Sequence, residues 1–234
     1  MQAAKPDDWH FLVGLNGWAP SISGTLTIRG NVQIPYDVSI SDLLHHLKMI
    51  VPLGFQAQKG DFGGNVNVFY AKVGGTPLQA GLPAEPINAS VDVRQMILEG
   101  FGFWRLAHGD AGNPWSIELI GGVRYWDTNA RIETDVTDTS GKTIDWADGF
   151  GGLRVEMPLT SSISILGRGD MGAGGAKRDW SASGDLALRL GKGWVGGAGY
   201  RTVQVDFDKS DVLGTRRVFD MAYSGPRMWI VYTW

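Results

Sequence analysis

Apolar and polar residues alternate with a period of two along most of the chain. In "NVNVFYAKV", Val66, Val68 and Tyr70 fall on one face of an extended strand and Asn65 and Asn67 on the other. In "WSIELIGGVRYWD", Trp115, Ile117, Leu119, Val123 and Tyr125 oppose Ser116, Glu118 and Arg124. Leu153, Val155 and Met157 oppose Arg154 and Glu156, and Ile163, Ile165 and Met171 oppose Ser164, Arg168 and Asp170. Trp180, Leu186, Leu188 and Leu190 oppose Ser181, Ser183, Asp185 and Arg189. The last residues, "RMWIVYTW", set Met228, Ile230, Tyr232 and Trp234 against Arg227, Trp229, Val231 and Thr233. Such alternation predicts strands with one apolar and one polar face. It is ambiguous in "QMILEGFGFWRL", where Phe101 and Phe103 share the parity of Glu99 and Arg105.

Ten strands are predicted, near 9–19, 49–58, 63–73, 91–106, 115–129, 146–158, 162–172, 179–191, 194–206 and 217–234. The connections between them alternate. "KGDFG", "AHGDAGNP", "PLTSS" and "GKG" are short, whereas 20–48, 74–90 and 130–145 are long, with 207–216 and "GAGGAKR" between. An up-and-down meander places every short turn at one end, the asymmetry of barrels with short periplasmic turns and longer outer loops. The expected fold is therefore all-β, an antiparallel up-and-down transmembrane barrel of about 10 strands (range 8 to 12). It occupies residues 9–234 as a single domain behind an N-terminal tail, 1–8. The first long loop has room for an extra hairpin, 23–29 with 32–40, which would extend the sheet beyond the membrane or raise the strand count to twelve, and it predicts one short helix at 41–48. Ser41 is its expected N-cap, and Leu43, Leu44 and Leu47 form its apolar face.

Side-chain chemistry decides which face meets which medium. The polar faces carry arginines and carboxylates of both signs, spaced by Gly: Arg124, Arg154, Arg168, Arg189, Arg201 and Arg227 with Glu118, Glu156, Asp170 and Asp185. Lys is missing from this mid-strand set, and Arg is the better residue for partly buried bidentate pairs. These ten residues are read as a charge network filling a narrow lumen. Trp9, Trp104, Trp115, Trp194, Tyr232 and Trp234 lie at strand ends beside short turns or termini, and Tyr70, Tyr125 and Tyr200 lie nearer the other ends. Two aromatic bands flanking an aliphatic zone are what membrane interfaces select. The first six are expected to be interface anchors. Composition agrees with this reading: 19% charged residues and 34 Gly in 234, against about 25% charged in ordinary soluble domains. A net charge of −3 supplies no basic field for nucleic acid. With Cys absent, disulfides and thiolate metal sites are excluded. "MQAAKPDDW" shows neither a charged n-region nor an apolar h-region, so no signal peptide is visible in this chain.

The terminal "YTW" resembles the C-terminal β-signal by which Gram-negative outer-membrane proteins reach the barrel-assembly machinery. The "SDLL..L" segment, the stretch "LGFQAQKGDFGGNVNVFYAKV", the "GxRYWD" strand from Gly122 to Asp127, and "SGP" from Ser224 to Pro226 follow in order. That ordered set resembles a widespread, poorly characterised group of outer-membrane β-barrel proteins, over nearly the whole chain. The resemblance implies the fold, a location in the bacterial outer membrane, and contact with outer-membrane lipid, lipopolysaccharide and the assembly machinery. It implies no particular chemistry.

Candidate chemistry is sparse. Arg168 and Asp170 of "GRGD" share a mid-strand face, so receptor display through that tripeptide is not expected. "TSGKT", 139–143, lacks the upstream Gly of a phosphate-binding loop and leads into no helix. His45 and His46 are adjacent rather than four apart, which disfavours a metal site. Asp127, Glu133, Asp135 and Asp138 match no calcium-loop spacing. No cofactor and no metal are expected. Ten strands leave a small interior, since wide aqueous channels come with sixteen or more. The expected function is a non-enzymatic outer-membrane barrel, as a narrow or occluded channel or a structural or interaction barrel, with small solutes as a possible cargo. Two alternatives stand beside it: a rim-catalytic barrel enzyme using His45 or His46, and a soluble lipocalin-like barrel with an apolar interior.

Overall fold

The computed structural model describes residues 8–28, 32–77, 89–110, 114–134, 142–210 and 216–234. In chain order the elements are β1 (Trp9–Trp18), β2 (Ser21–Ile28), β3 (Val32–Val38), α1 (Ile40–His45), β4 (Leu47–Lys59), β5 (Phe62–Pro77) and β6 (Ala89–His108). They continue as β7 (Ser116–Thr134), β8 (Lys142–Pro158), β9 (Ile163–Gly174), β10 (Arg178–Gly191), β11 (Trp194–Ser210) and β12 (Arg216–Thr233). β1 and β4 to β12 pair antiparallel, each with its neighbour, and β1 pairs with β12 to close a ten-strand barrel. Closure leaves no unpaired edge in the wall, the condition for a sheet to span hydrocarbon.

Closure uses only the lower half of β12. β1 pairs Leu12 with Thr233 through to Trp18 with Arg227, then ends. Beyond that point β2 takes over, from Ser21 opposite Ser224 to Thr27 opposite Val218, and β3 pairs with β2. The extra hairpin is therefore present and continues the sheet past the barrel rim.

The short turns collect at the end that also holds both termini. Phe11 N–H donates to Trp234 O at 3.0 Å and Trp234 N–H to Phe11 O at 3.1 Å. Between β10 and β11 the turn residues Lys192 and Gly193 have φ of 52° and 84°, the left-handed pair that a two-residue hairpin matched to strand twist requires. At the opposite end the strands run further than the alternation predicts: β7 reaches Thr134 and β8 begins at Lys142. Polar pairs such as Asn129 with Thr143 continue the ladder there. Backbone pairing needs no apolar face, so the pattern fades before the strand does.

The helix differs from expectation. It spans Ile40–His45, with Ser39 rather than Ser41 as the cap: the Asp42 N–H donates to Ser39 Oγ at 3.2 Å. Ser39 with Asp42 three residues on makes a reciprocal cap, Ser39 Oγ donating to Asp42 Oδ2 at 2.6 Å. Leu47 and Lys48 enter β4 instead. No residue of α1 is buried, so the helix does not plug the lumen.

Exposure follows the alternation with apolar side chains outward. Leu15, Leu53, Val66, Leu119, Val123, Leu153, Leu186 and Met228 are all exposed, while Glu99, Glu118, Arg124, Asp148, Asp170 and Asp179 are buried. A soluble lipocalin-like barrel needs the reverse, and this arrangement contradicts that alternative. The ambiguous strand resolves the same way. Phe101 and Phe103 are 6% and 4% exposed inside the lumen, on the face of Glu99 and Arg105, and Leu98 and Trp104 face out.

Candidate functional site: the charged lumen

The lumen is built in layers from inward-facing alternate residues. Arg124 on β7 occupies its centre and is 0% exposed. Its guanidinium meets three carboxylates from three strands: Nε donates to Glu99 Oε1 at 2.7 Å, Nη2 to Asp170 Oδ1 at 2.7 Å, and Nη1 to Asp179 Oδ2 at 2.5 Å. Glu99 in turn accepts from Arg168 at 3.2 Å and Arg201 at 2.7 Å. Asp170 accepts from Arg168 Nε at 2.8 Å and Ser181 Oγ at 3.2 Å. Arg227 pairs with Asp185 at 3.1 Å. These pairs bridge the barrel through its interior, because Arg124 and Asp179 lie on strands separated by two others.

On either side of this layer lies an aromatic-rich cluster. Toward the short-turn end, Phe101, Phe103, Ile120 and Phe150 form a buried cluster. The arginines lie on those rings, with Arg124 4.9 Å from the Phe150 centroid, Arg168 4.8 Å from Phe101 and Arg154 4.7 Å from Phe103. Such cation–π contacts gain strength where water is excluded. Toward the long-loop end, Trp18, Trp126, Trp146, Val203, Val205, Phe207 and Tyr223 pack together. Trp126 and Trp146 stack at 5.4 Å, and Trp146 Nε1 donates to the buried Asp148 at 2.8 Å. At the short-turn mouth, Arg154 donates to Glu118 at 2.6 Å and to Gln56 at 3.0 Å. Arg105 lies 3.7 Å from Glu118 and 3.8 Å from Asp61.

The ten residues expected in the network divide. Glu118, Arg124, Arg154, Arg168, Asp170, Asp185, Arg201 and Arg227 meet an opposite charge inside the barrel. Arg189 does not: it is exposed at the short-turn rim and donates to the Ser161 carbonyl at 3.3 Å. Glu156 faces inward opposite Ser116 and has no ion pair among the described residues. Sequence reasoning missed Glu99, Arg105, Asp148 and Asp179. Asp179 shares the parity of Ser181 and Asp185, a signal that was available, whereas Glu99 was hidden by the phenylalanines beside it.

The wall formed by β1, β4 and β5 is different in kind. It presents Asn16, Gln56, Gln58, Asn65 and Asn67 together with Gly14, Gly54 and Gly63. Asn16 Nδ2 donates to Asn67 Oδ1 at 3.3 Å. A cavity of about 80 Å³ lies against this wall, bordered by Asn16, Trp18, Asn67, Glu99, Arg168, Arg201 and Arg227.

Of the expected interface anchors, Trp9, Trp104, Trp194, Tyr232 and Trp234 are exposed on the barrel exterior at the short-turn end, and Trp115 is half-buried. Tyr232 stacks on Trp234 and meets Trp194 at a tilted 56°, and Trp104 stacks on Phe62. His45 is exposed at the end of α1 and His46, its half-buried C-cap, follows, their Nδ1 atoms 2.7 and 2.8 Å from the carbonyl oxygens of Ser41 and Asp42. Among the described residues no cluster of three or more metal-ligating side chains occurs. Asp135 and Asp138, and 139–141 of "TSGKT", lie outside the described residues, as do 1–7 of the tail.

No family model matches the chain, and no curated protein matches its sequence. Solved structures do. The chain is similar to the outer membrane protease OmpT from Escherichia coli, with a TM-score of 0.56 at 9% identity over 100% of this chain and 99% of that one. It is also similar to the translocator domain of the autotransporter NalP from Neisseria meningitidis, with a TM-score of 0.45 at 11% identity over 99% and 90% of the two chains. The Pseudomonas putida toluene transporter TodX matches with a TM-score of 0.27 at 11% identity, over 98% and 90%. What the chain shares with OmpT is the fold, a closed antiparallel β-barrel.

Proposed function

We propose that the protein is a non-enzymatic barrel of the bacterial outer membrane whose resting lumen is occluded, serving as a structural or interaction barrel. The observation that carries this reading is Arg124, fully buried and held by Glu99, Asp170 and Asp179 between two aromatic layers. A path for solute would have to break several buried charge-assisted bonds at once, and buried pairs resist the loss of one partner strongly. The outward apolar face supports the membrane setting, as does the likeness in fold to outer-membrane barrels.

A narrow channel is the second reading, and the amide-lined cavity beside Arg168, Arg201 and Arg227 favours it. Conductance in planar bilayers separates the two. The occluded barrel inserts without producing discrete current steps, while reproducible small steps would establish the channel. The barrel-enzyme reading has no comparable support, since likeness to OmpT at 9% identity concerns the fold alone.

A further inference from the structure

The lipid-facing surface changes character in a fixed order along β5, β6 and β7. Register places Val66, Gly100 and Val123 side by side in the aliphatic zone, then Val68, Leu98 and Tyr125, then Tyr70, Met96 and Asp127. One step further toward the long-loop end, Lys72 stands directly opposite Arg94, and the next step sets Asp92 opposite Arg131. These outward residues border a groove of about 350 Å³. Like charges directly opposite on neighbouring strands destabilise a sheet unless a counter-charge lies between them. The protein supplies little of one. Arg94 reaches Asp127 only at 3.4 Å and Lys48 reaches Asp92 at 3.3 Å, both half-exposed and therefore weak. Lys72 and Arg131 have no ion pair among the described residues. Among the residues bordering the groove, Lys72, Arg94 and Arg131 outnumber the one carboxylate, Asp92, so the groove carries a net positive charge.

We propose that this groove binds the phosphate of an outer-leaflet lipid headgroup, with Lys72, Arg94 and Arg131 as its partners and Tyr70 packed against the lipid below. The proposal rests on the outer-membrane reading and adds to it a site for the lipid. Position selects the lipid: the groove lies on the barrel exterior, just past the aliphatic zone, where headgroup phosphates sit. Strand spacing of about 4.8 Å and a rise of about 3.3 Å per residue put the three cationic positions within roughly 12 Å, the reach of one headgroup rather than of scattered ions. Arg offers paired donors to phosphate oxygens and Lys a point charge.

The test uses full-length protein refolded in detergent, incubated with lipopolysaccharide and titrated for retained lipid phosphate, beside the triple variant Lys72→Gln, Arg94→Gln, Arg131→Gln. Each cation near an anionic lipid surface is worth about fivefold, so the triple variant should bind about a hundredfold more weakly. It should keep the heat-modifiable gel migration of a folded barrel. Unchanged affinity in the folded variant overturns the proposal. Displacement by millimolar inorganic phosphate as readily as by the lipid also overturns it, because the groove would then hold free anions. If the triple variant does not fold, Lys72→Gln alone carries the test, with an expected loss of about fivefold. Failure of the wild type itself to show heat-modifiable migration would instead sink the outer-membrane reading.

Discussion

Arg124 concentrates the cost and the purpose of the interior in one side chain. Its charge is removed from water and returned to three carboxylates, so Arg124→Met leaves Glu99, Asp170 and Asp179 buried with too little counter-charge. The expected loss is about 3–5 kcal/mol in denaturant titrations of the refolded barrel. Arg189→Met is the contrast. That side chain is exposed and touches only a carbonyl, so the change should stay within about 0.5 kcal/mol. Gly152 marks a close approach of two strands: a Cβ there would lie 2.1 Å from the Gly169 carbonyl oxygen. Gly152→Ala should therefore lower the unfolding midpoint through forced backbone movement, by about 1–3 kcal/mol. The identities of Arg124, Arg168 and Asp170 as inward residues were legible from parity alone. Their partnership with Asp179 and Glu99 was not, because side-chain meetings across a lumen depend on tilt and stagger, which a linear pattern does not carry.

At the scale of elements, strand existence was legible because each strand has two faces in different media, and that contrast prints a period of two. Strand ends were not. Beyond the aliphatic zone the outward face turns polar, with Asn129, Arg131, Thr143 and Asp145, so the apolar-outward alternation stops while β7 continues to Thr134 and β8 begins at Lys142. The helix cap shifted to Ser39 because the pairing of Ser39 with Asp42 satisfies donors that a cap at Ser41 leaves open. The β2–β3 hairpin pairs only with the outer half of β12, and closure depends on β1 below it. Excising β2 and β3 should thus leave heat-modifiable migration intact, whereas deleting β1 should abolish it. Trp234 contributes two backbone bonds to Phe11 and a ring stacked on it at 5.6 Å. Its deletion should permit refolding in detergent yet sharply reduce insertion in cells, read as folded barrel per total protein in the membrane fraction.

For the whole molecule, apolar side chains outside and a charge-paired, aromatic-layered interior are two consequences of one inversion. The fold class was readable from sequence because that inversion places Arg where a soluble sheet would place Leu. The filling of the interior was less readable: ten strands implied a small lumen, but the side chains that pack it include Phe101 and Phe103, whose parity was ambiguous, and the tryptophans on the other side of the ion pairs. The natural chain holds no cysteine, so single cysteines introduced along β12 report uniquely. The most direct measurement places a fluorophore at each of positions 227 to 232 in turn, in vesicles containing brominated lipid. The account predicts strong quenching at 228, 230 and 232 and weak quenching at 227, 229 and 231, a period of two with the apolar positions in lipid. Uniform quenching along the strand, or the opposite alternation, would contradict it.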